Sequence, residues 1–263
     1  MRWAQYRHKD TVGYGIVSGD RIEPVSGTPF STYVRCGDPL PLAQVKLLPP
    51  VVPGTFYAVG FNYLGHTAEA GDFLKKPQKI PQKPDVGYRS AGALIGDGAP
   101  VVIPAASAGV IQFEGELVAV IGKTAKHVSE ADALDYVLGF TIGNDFSERA
   151  WQALDRTVWR SKNTDTFKPM GPWIETEVSL PELTTRVRLN DRVVSEFKTN
   201  AMLFGVQRYI AEITQFVTMH PGDVLWMGTE APTLDMRAGD VVAVEIDQIG
   251  VLRNPIVAET AGH

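Results

Sequence analysis

Cysteine is nearly absent from this chain: Cys36 is the only one in 263 residues. No intrachain disulfide can form, which fits a reducing compartment. Long apolar runs are missing as well. No window approaches the ~18 consecutive apolar residues of a membrane span, and Met-Arg-Trp-Ala-Gln-Tyr-Arg-His at the start has no signal-type apolar core. A soluble, cytoplasmic protein with no membrane partner is the expectation. Basic charge is not in excess either. Lys and Arg number 25 against 30 Asp and Glu, a net charge of −5, and no long basic run occurs, so nucleic acid is not an expected partner. Internal repeats, a phosphate-loop sequence and Cys/His zinc spacings are lacking too.

What remains is an ordinary globular composition, 44% hydrophobic and 21% charged, sufficient for a large core. Twenty-five Gly and 18 Pro among short Val/Ile-rich runs favour a strand-rich fold. Arg2–Arg7, Val12–Val17 and Arg21–Val25 read as strands of a small β unit, joined by turns. Leu47–Gly54, with prolines at 49, 50 and 53, reads as a linker because proline fixes φ and removes backbone donors. The chain thus divides into a small N-terminal β domain, 1–50, and a larger domain, 51–263. In the latter, Ser129-Glu130-Ala131-Asp132 has a capping pattern that predicts a short helix ending near Asp135. Val137–Gly143 reads as a buried strand followed by a helix over Ser147–Asp155, and Pro169-Met170-Gly171-Pro172 as a turn. Arg186–Leu189 and Arg192–Phe197 form an expected hairpin around Asn190-Asp191. Val206, Tyr209, Ile210, Ile213 and Val217 recur at helical spacing, predicting a core-facing helix over Gly205–Met219. Val224–Gly228 and Val241–Ile246 are expected buried strands.

The chemistry concentrates in Val110–Lys123. Read as one strand, it carries Ile111, Phe113, Gly115, Leu117, Ala119 and Ile121 on one face, and Glu114 and Glu116 on the other. Two acids two residues apart, roughly 7 Å between Cα atoms at about 3.3 Å per residue, repel one another when buried. Either the half-strand faces water or a cation sits between them. Asp145, at the end of the next strand, is a third acid placed to face a site. His66 and Glu69, three apart on one helical turn, suit a base and its orienting carboxylate, and equally a solvated pair. The Lys/Pro/Gln-rich stretch Gly71–Ser90 lacks periodicity and reads as a lid or a disordered loop.

Taken in order, Phe113-Glu114-Gly115-Glu116-Leu117, Gly143-Asn144-Asp145-Phe146-Ser147-Glu148-Arg149, Gln152, Lys162, Pro221-Gly222-Asp223 and Gly228-Thr229 resemble the fumarylacetoacetate hydrolase superfamily. Upstream, Asn62-Tyr63-x-x-His66-x-x-Glu69 is similar to that family's lid motif. The resemblance spans about residues 51–257, and 1–50 resemble the small N-terminal domain of many members. It implies an α+β fold with a mixed β-roll core, a homodimer, and Mg²⁺ or Mn²⁺ held by Glu114, Glu116 and Asp145. Such hard cations take oxygen ligands. The implied substrate is a small keto acid chelating the metal through its α-keto carboxylate. By resemblance, His66 with Glu69 activates water, Lys162 adds positive charge, and Gln152 and Thr229 hold substrate oxygens.

Three departures bear on the substrate's tail. Ala150 follows Arg149 where the family has Asp, Glu230 follows Thr229 where it has Pro, and Arg89 stands where many members have Lys. Arg offers a planar fork suited to a carboxylate. The leading expectation is a metal-dependent hydrolase cleaving a C–C bond in an acylpyruvate- or fumarylpyruvate-type 1,3-diketo acid. The alternative is an isomerase or decarboxylase of a 2-hydroxy-dienedioate or oxo-diacid in aromatic-compound catabolism. A non-catalytic, metal-stabilised acid-binding domain is a third possibility, disfavoured by His66, Glu69 and Lys162.

Overall fold

The computed structural model describes residues 1–260, the side chain of Phe73 excepted. A meander of β1 (Arg2–His8), β2 (Thr11–Ser18) and β3 (Arg21–Ser26) opens the chain, followed after the proline-rich stretch by β4 (Phe56–Val59). Helix α1 (Leu64–Phe73) and β5 (Val86–Tyr88) bracket the expected lid, so regular structure enters it from both ends. Next come β6 (Val101–Ile103), β7 (Gly115–Ile121), β8 (Val137–Asn144), the short helices α2 (Arg149–Gln152) and α3 (Trp159–Asn163), and β9 (Lys168–Glu175). The hairpin β10 (Thr184–Leu189) and β11 (Arg192–Lys198), α4 (Val206–Phe216), β12 (Val224–Trp226), β13 (Val241–Ile246) and β14 (Gly250–Ala258) complete the strand-rich α+β fold.

The main path of the large sheet runs β3-β2-β1-β9-β8-β7-β12-β4-β5. It is mixed: β12 and β4 pair in parallel, whereas β7 pairs antiparallel with both β8 and β12. A five-stranded sheet, β6-β14-β13-β10-β11, lies across it. Leu117, Ala119 and Ile121 of β7 join Val187 and Val244 of the second sheet in one core cluster. Val118 and Val120, on the other face, pack with Trp226, Phe56 and Met170. Gly115 lets the layers approach, since a Cβ there would meet Val187 and Val244 at 2.9 Å. The first three strands continue the large sheet through Arg2↔Glu175 and Trp3↔Ile174, reinforced by an Arg2–Glu175 ion pair of 3.0 Å.

Several local expectations need correction. Val110–Lys123 is not one strand. Ile111–Gln112 pairs with Ser147–Glu148 and Asp235–Met236 in a separate small sheet, and the chain breaks at Phe113-Glu114 before β7. The expected helix Ser147–Asp155 is a short strand followed by one turn, α2. Pro169–Pro172 lies within β9. Its partner register with β8 shifts between Phe140 and Ile142, next to Gly171, so Pro172 falls where the ladder is already irregular and a missing N–H is tolerated. Ser129 caps only a turn, its Oγ accepting from Asp132 N at 3.2 Å, before a 3₁₀ turn over Ala133–Tyr136. Val217 ends α4 and is exposed, so it is not a core position. The hairpin stands as expected, Asn190 and Asp191 taking φ of 50° and 65°, the handedness that a tight two-residue turn requires.

Candidate active site

Strand register brings the acids together. Gly115 pairs with Asn144 and Glu116 with Gly143, so Glu114 just before β7 lies beside Asp145 just after β8. The break is locked on both sides. Glu114 N donates to Asn144 Oδ1 at 2.9 Å, and Asp145 N donates to Glu114 O at 2.9 Å. Carboxylate oxygens of Glu114, Glu116 and Asp145 lie within 4.8 Å of one another, and all three side chains are buried.

Cations meet two of these acids. Lys162 Nζ bridges Glu114 Oε2 at 2.6 Å and Asp145 Oδ2 at 3.2 Å. Arg149 reaches Glu114 Oε1 at 2.8 Å, while Arg89 and the wholly buried Lys168 reach Asp145 at 2.9 and 2.5 Å. Burial alone would raise these carboxyl pKa values. Lys162 and Arg149 instead hold Glu114 well below the usual range, and Arg89, Lys162 and Lys168 hold Asp145 far below it. Lys168 is pushed down to about 8 by burial, partly offset by Asp145.

Glu116 differs. It accepts from Gly228 N at 2.8 Å but has no ion pair among the described residues. Burial, Asp145 and Glu114 push its pKa well above the usual value. That unbalanced corner, with an all-oxygen donor set, fits a hard divalent ion. Glu114, Glu116 and Asp145 can hold one.

His66 enters from α1. Asn62 fixes the start of that helix: its Nδ2 donates to Met227 O at 3.0 Å and Phe204 O at 3.1 Å, and its Oδ1 accepts from Phe204 N. Tyr63, the N-cap position, supplies no side-chain cap. Glu230 does so from across the site, its Oε1 accepting from His66 N and from Ala231 N, each at 2.8 Å. Gly65 leaves room for this contact, since a Cβ there would displace the Glu230 carboxylate from His66 N. The His66 ring then lies with Nδ1 3.3 Å from Glu69 and Nε2 3.5 Å from Glu114. Burial opposes its charge, but the contacts with Glu114 and Glu69 prevail and raise its pKa. Glu69 is itself held by Thr233 through N–H and Oγ, at 2.9 and 3.0 Å.

His66, Arg89, Glu114, Gln152, Lys162 and Thr229 line one cavity of about 390 Å³. Gln152 Oε1 accepts from Arg149 Nη1 at 2.7 Å, so it is tied to the cation that holds Glu114. Glu69, Glu116 and Asp145 support the wall through the contacts above. Sequence reasoning quoted Arg149 without giving it a role and missed Lys168, Thr233 and the capping by Glu230. A lysine between Phe167 and Pro169, entering a buried strand, was the available signal that an anion had to lie nearby. Nothing in the sequence placed Glu230 or Thr233 against α1, some 164 positions away.

The Fumarylacetoacetate (FAA) hydrolase C-terminal family matches residues 55–257, and the Rv2993c-like, N-terminal family matches 1–50. The Xenopus laevis mitochondrial oxaloacetate tautomerase fahd2 is 36% identical over 228 residues, covering 82% of this chain and 69% of its own. The crystal structure of a 5-carboxymethyl-2-hydroxymuconate delta-isomerase from Mycobacterium smegmatis superposes with a TM-score of 0.88 at 33% identity, over 98% of this chain and 100% of that one. Maleylpyruvate hydrolase from Sphingobium sp. SYK-6, solved with manganese(II) and pyruvate, gives 0.81 at 26% identity over 99% and 100%. A shared fold, a match across most of the chain and a buried acidic triad agree, and the chain belongs to the fumarylacetoacetate hydrolase superfamily.

Proposed function

We propose that the protein is a divalent-metal-dependent enzyme that moves a proton between carbon and oxygen of a 2-oxo carboxylic acid, interconverting its keto and enol forms. The observation that carries this reading is the placement of His66. It lines the cavity, backed by Glu69 on one ring nitrogen and facing Glu114 with the other. A histidine whose pKa is raised in such a setting can both take and return a proton near neutral pH. When bound by Glu114, Glu116 and Asp145, Mg²⁺ or Mn²⁺ supplies Lewis acidity toward the keto oxygen and stabilises developing enolate charge. His66 takes the proton from the carbon beside the keto group. Lys162 adds a buried positive charge near the oxygen that gains electron density. Arg89 and Thr229 line the same cavity and orient the acid, and Gln152 holds an oxygen of its tail.

The tautomerase and the isomerase named above lie at 36% and 33% identity, the hydrolase at 26%, which supports proton transfer as the first reading. Cleavage of an acylpyruvate C–C bond is the second. It is favoured by Thr233, which aims Glu69 at His66 in the arrangement of a base and its orienting carboxylate. The wild-type protein's choice of reaction separates the two, and His66→Ala tests the base that both require. Enol absorbance with a panel of 2-oxo acids, in Mg²⁺, should fall about 10²–10⁴-fold in rate, the usual cost of losing a general acid–base. Wild-type protein that releases pyruvate from an acylpyruvate, yet leaves enolisation of simple 2-oxo acids at the uncatalysed rate, would move hydrolysis to first place.

A further inference from the structure

Nine non-glycine residues among those described take a positive φ, and seven of them carry polar or charged side chains. The other two are Phe61 at 49° and Val158 at 50°, and both line the cavity that holds His66 and Glu114. For a bulky or β-branched residue this left-handed backbone is costly, because Cβ crowds the following carbonyl oxygen, whereas glycine adopts it freely. Phe61 lies in the turn between β4 and α1. Val158 opens α3 with a ψ of 27° and gives that helix no side-chain cap.

Each turn is held from outside. Asn62 anchors the first through its bonds to Met227 O and Phe204 O, and Thr67 Oγ donates to Phe61 O at 3.3 Å. At the second, Asp155 caps α3 in place of Val158, accepting from Arg160 N at 3.2 Å and Ser161 N at 3.3 Å. Its other oxygen holds the Arg160 guanidinium at 2.8 and 3.1 Å. Strain of this kind persists only where the surroundings over-determine it. Glycine would serve either turn without the cost, so what the strain retains is the two side chains. The Phe61 ring centroid lies 6.3 Å from that of His66, and Lys162 N donates to Val158 O at 3.1 Å. Apolar groups beside His66 and Lys162 keep water from the charges there, and electrostatic attraction is stronger where water is excluded. We infer that Phe61 and Val158 form an apolar collar, held in strained backbone, that excludes water from a ligand bound between His66 and Lys162. This rests on the reading of the site as one for 2-oxo acids.

Alanine and glycine variants at each position separate the strain from the side chain, since both remove everything beyond Cβ. In ordinary backbone the alanine variant is the more stable. At 61 and 158 the order should reverse, the glycine variant melting about 2–4 °C higher. Lys9→Gly against Lys9→Ala, at an exposed turn with φ of 53° outside the cavity, should show the same reversal. The collar itself is read by calorimetry on the Mg²⁺-loaded protein with oxalate, a planar dianion shaped like the enolate of a 2-oxo acid. Phe61→Ala, Phe61→Gly, Val158→Ala and Val158→Gly should each weaken oxalate about tenfold and make its binding fall with added salt, which a dry wild-type site resists. Phe61→Leu and Val158→Ile keep an apolar group and should recover most of both, while the Lys9 variants should bind as wild type does. An alanine variant more stable than its glycine counterpart at both positions would overturn the inference. So would variants whose oxalate affinity and salt response match wild type, and either result leaves the 2-oxo acid site standing. Failure of oxalate to bind Mg²⁺-loaded wild-type protein would overturn both readings together.

Discussion

Glu230 reaches the first turn of α1 from a loop far away in the chain, and removing it should loosen the helix that carries His66. Glu230→Ala takes the acceptor from His66 N and Ala231 N. Loss of an N-terminal cap costs about 0.5–2 kcal/mol, and a second orphaned donor adds about 1 kcal/mol, so about 2 kcal/mol is expected. At about 2–4 °C per kcal/mol for a chain of this size, melting should fall by about 4–8 °C. Glu230→Gln retains an acceptor oxygen and should recover most of that. The decisive form is a double-mutant cycle with Gly65. In the wild type, Gly65→Ala drives a Cβ into the Glu230 carboxylate and should destabilise by about 2 kcal/mol through loss of the same hydrogen bonds. With Glu230→Ala already present the obstacle is gone, and Ala favours a helix over Gly by up to about 1 kcal/mol, so the sign should reverse. Urea unfolding of the four proteins measures the coupling. An equal cost of Gly65→Ala in both backgrounds would refute the placement of Glu230 against α1.

Lys168→Met should destabilise by about 3 kcal/mol, toward the low end for breaking a buried ion pair because Arg89 and Lys162 still face Asp145; chemical denaturation checks this. Metal binding should release a proton from Glu116. With a folded pKa above the unfolded value near 4.5, the metal-free chain holds a proton that unfolding would release, so this stabilising contribution is full below that pH and is lost as pH rises through the folded pKa. Mg²⁺ affinity should therefore rise with pH over the same window, and calorimetry in buffers of differing ionisation enthalpy should detect the proton; Glu116→Gln should abolish that release. Residues 74–85, which hold no regular element between α1 and β5, should exchange amide hydrogens quickly and slow when a 2-oxo acid and metal bind.

The acids were legible in the sequence because Glu114 and Glu116 share one face of an otherwise apolar stretch and Asp145 stands at the end of the next strand, while their grouping as one ligand set came from the family resemblance. The hairpin at Asn190-Asp191 and the helix carrying Tyr209 and Ile213 were legible for an equally local reason: turn chemistry and period. What was not legible depends on pairing between distant segments. The break at Phe113-Glu114 exists because Ile111–Gln112 finds partners in Ser147–Glu148 and Asp235–Met236, which no local pattern in Val110–Lys123 announces. Pro169 and Pro172 read as a turn on local grounds, while the register shift opposite them lets the strand continue. Lys168 and Glu230 belong to the site only because the fold delivers an anion to one and an uncapped helix to the other.

Proton transfer at carbon is the central claim, and hydrogen–deuterium exchange at C3 of a 2-oxo acid, followed by NMR in D₂O, tests it most directly. Wild-type protein with Mg²⁺ should catalyse exchange, chelation should abolish it, and His66→Ala should reduce it about 10²–10⁴-fold while metal and ligand still bind. Exchange that wild-type protein leaves at the uncatalysed rate, or that persists unchanged in His66→Ala, would contradict the account.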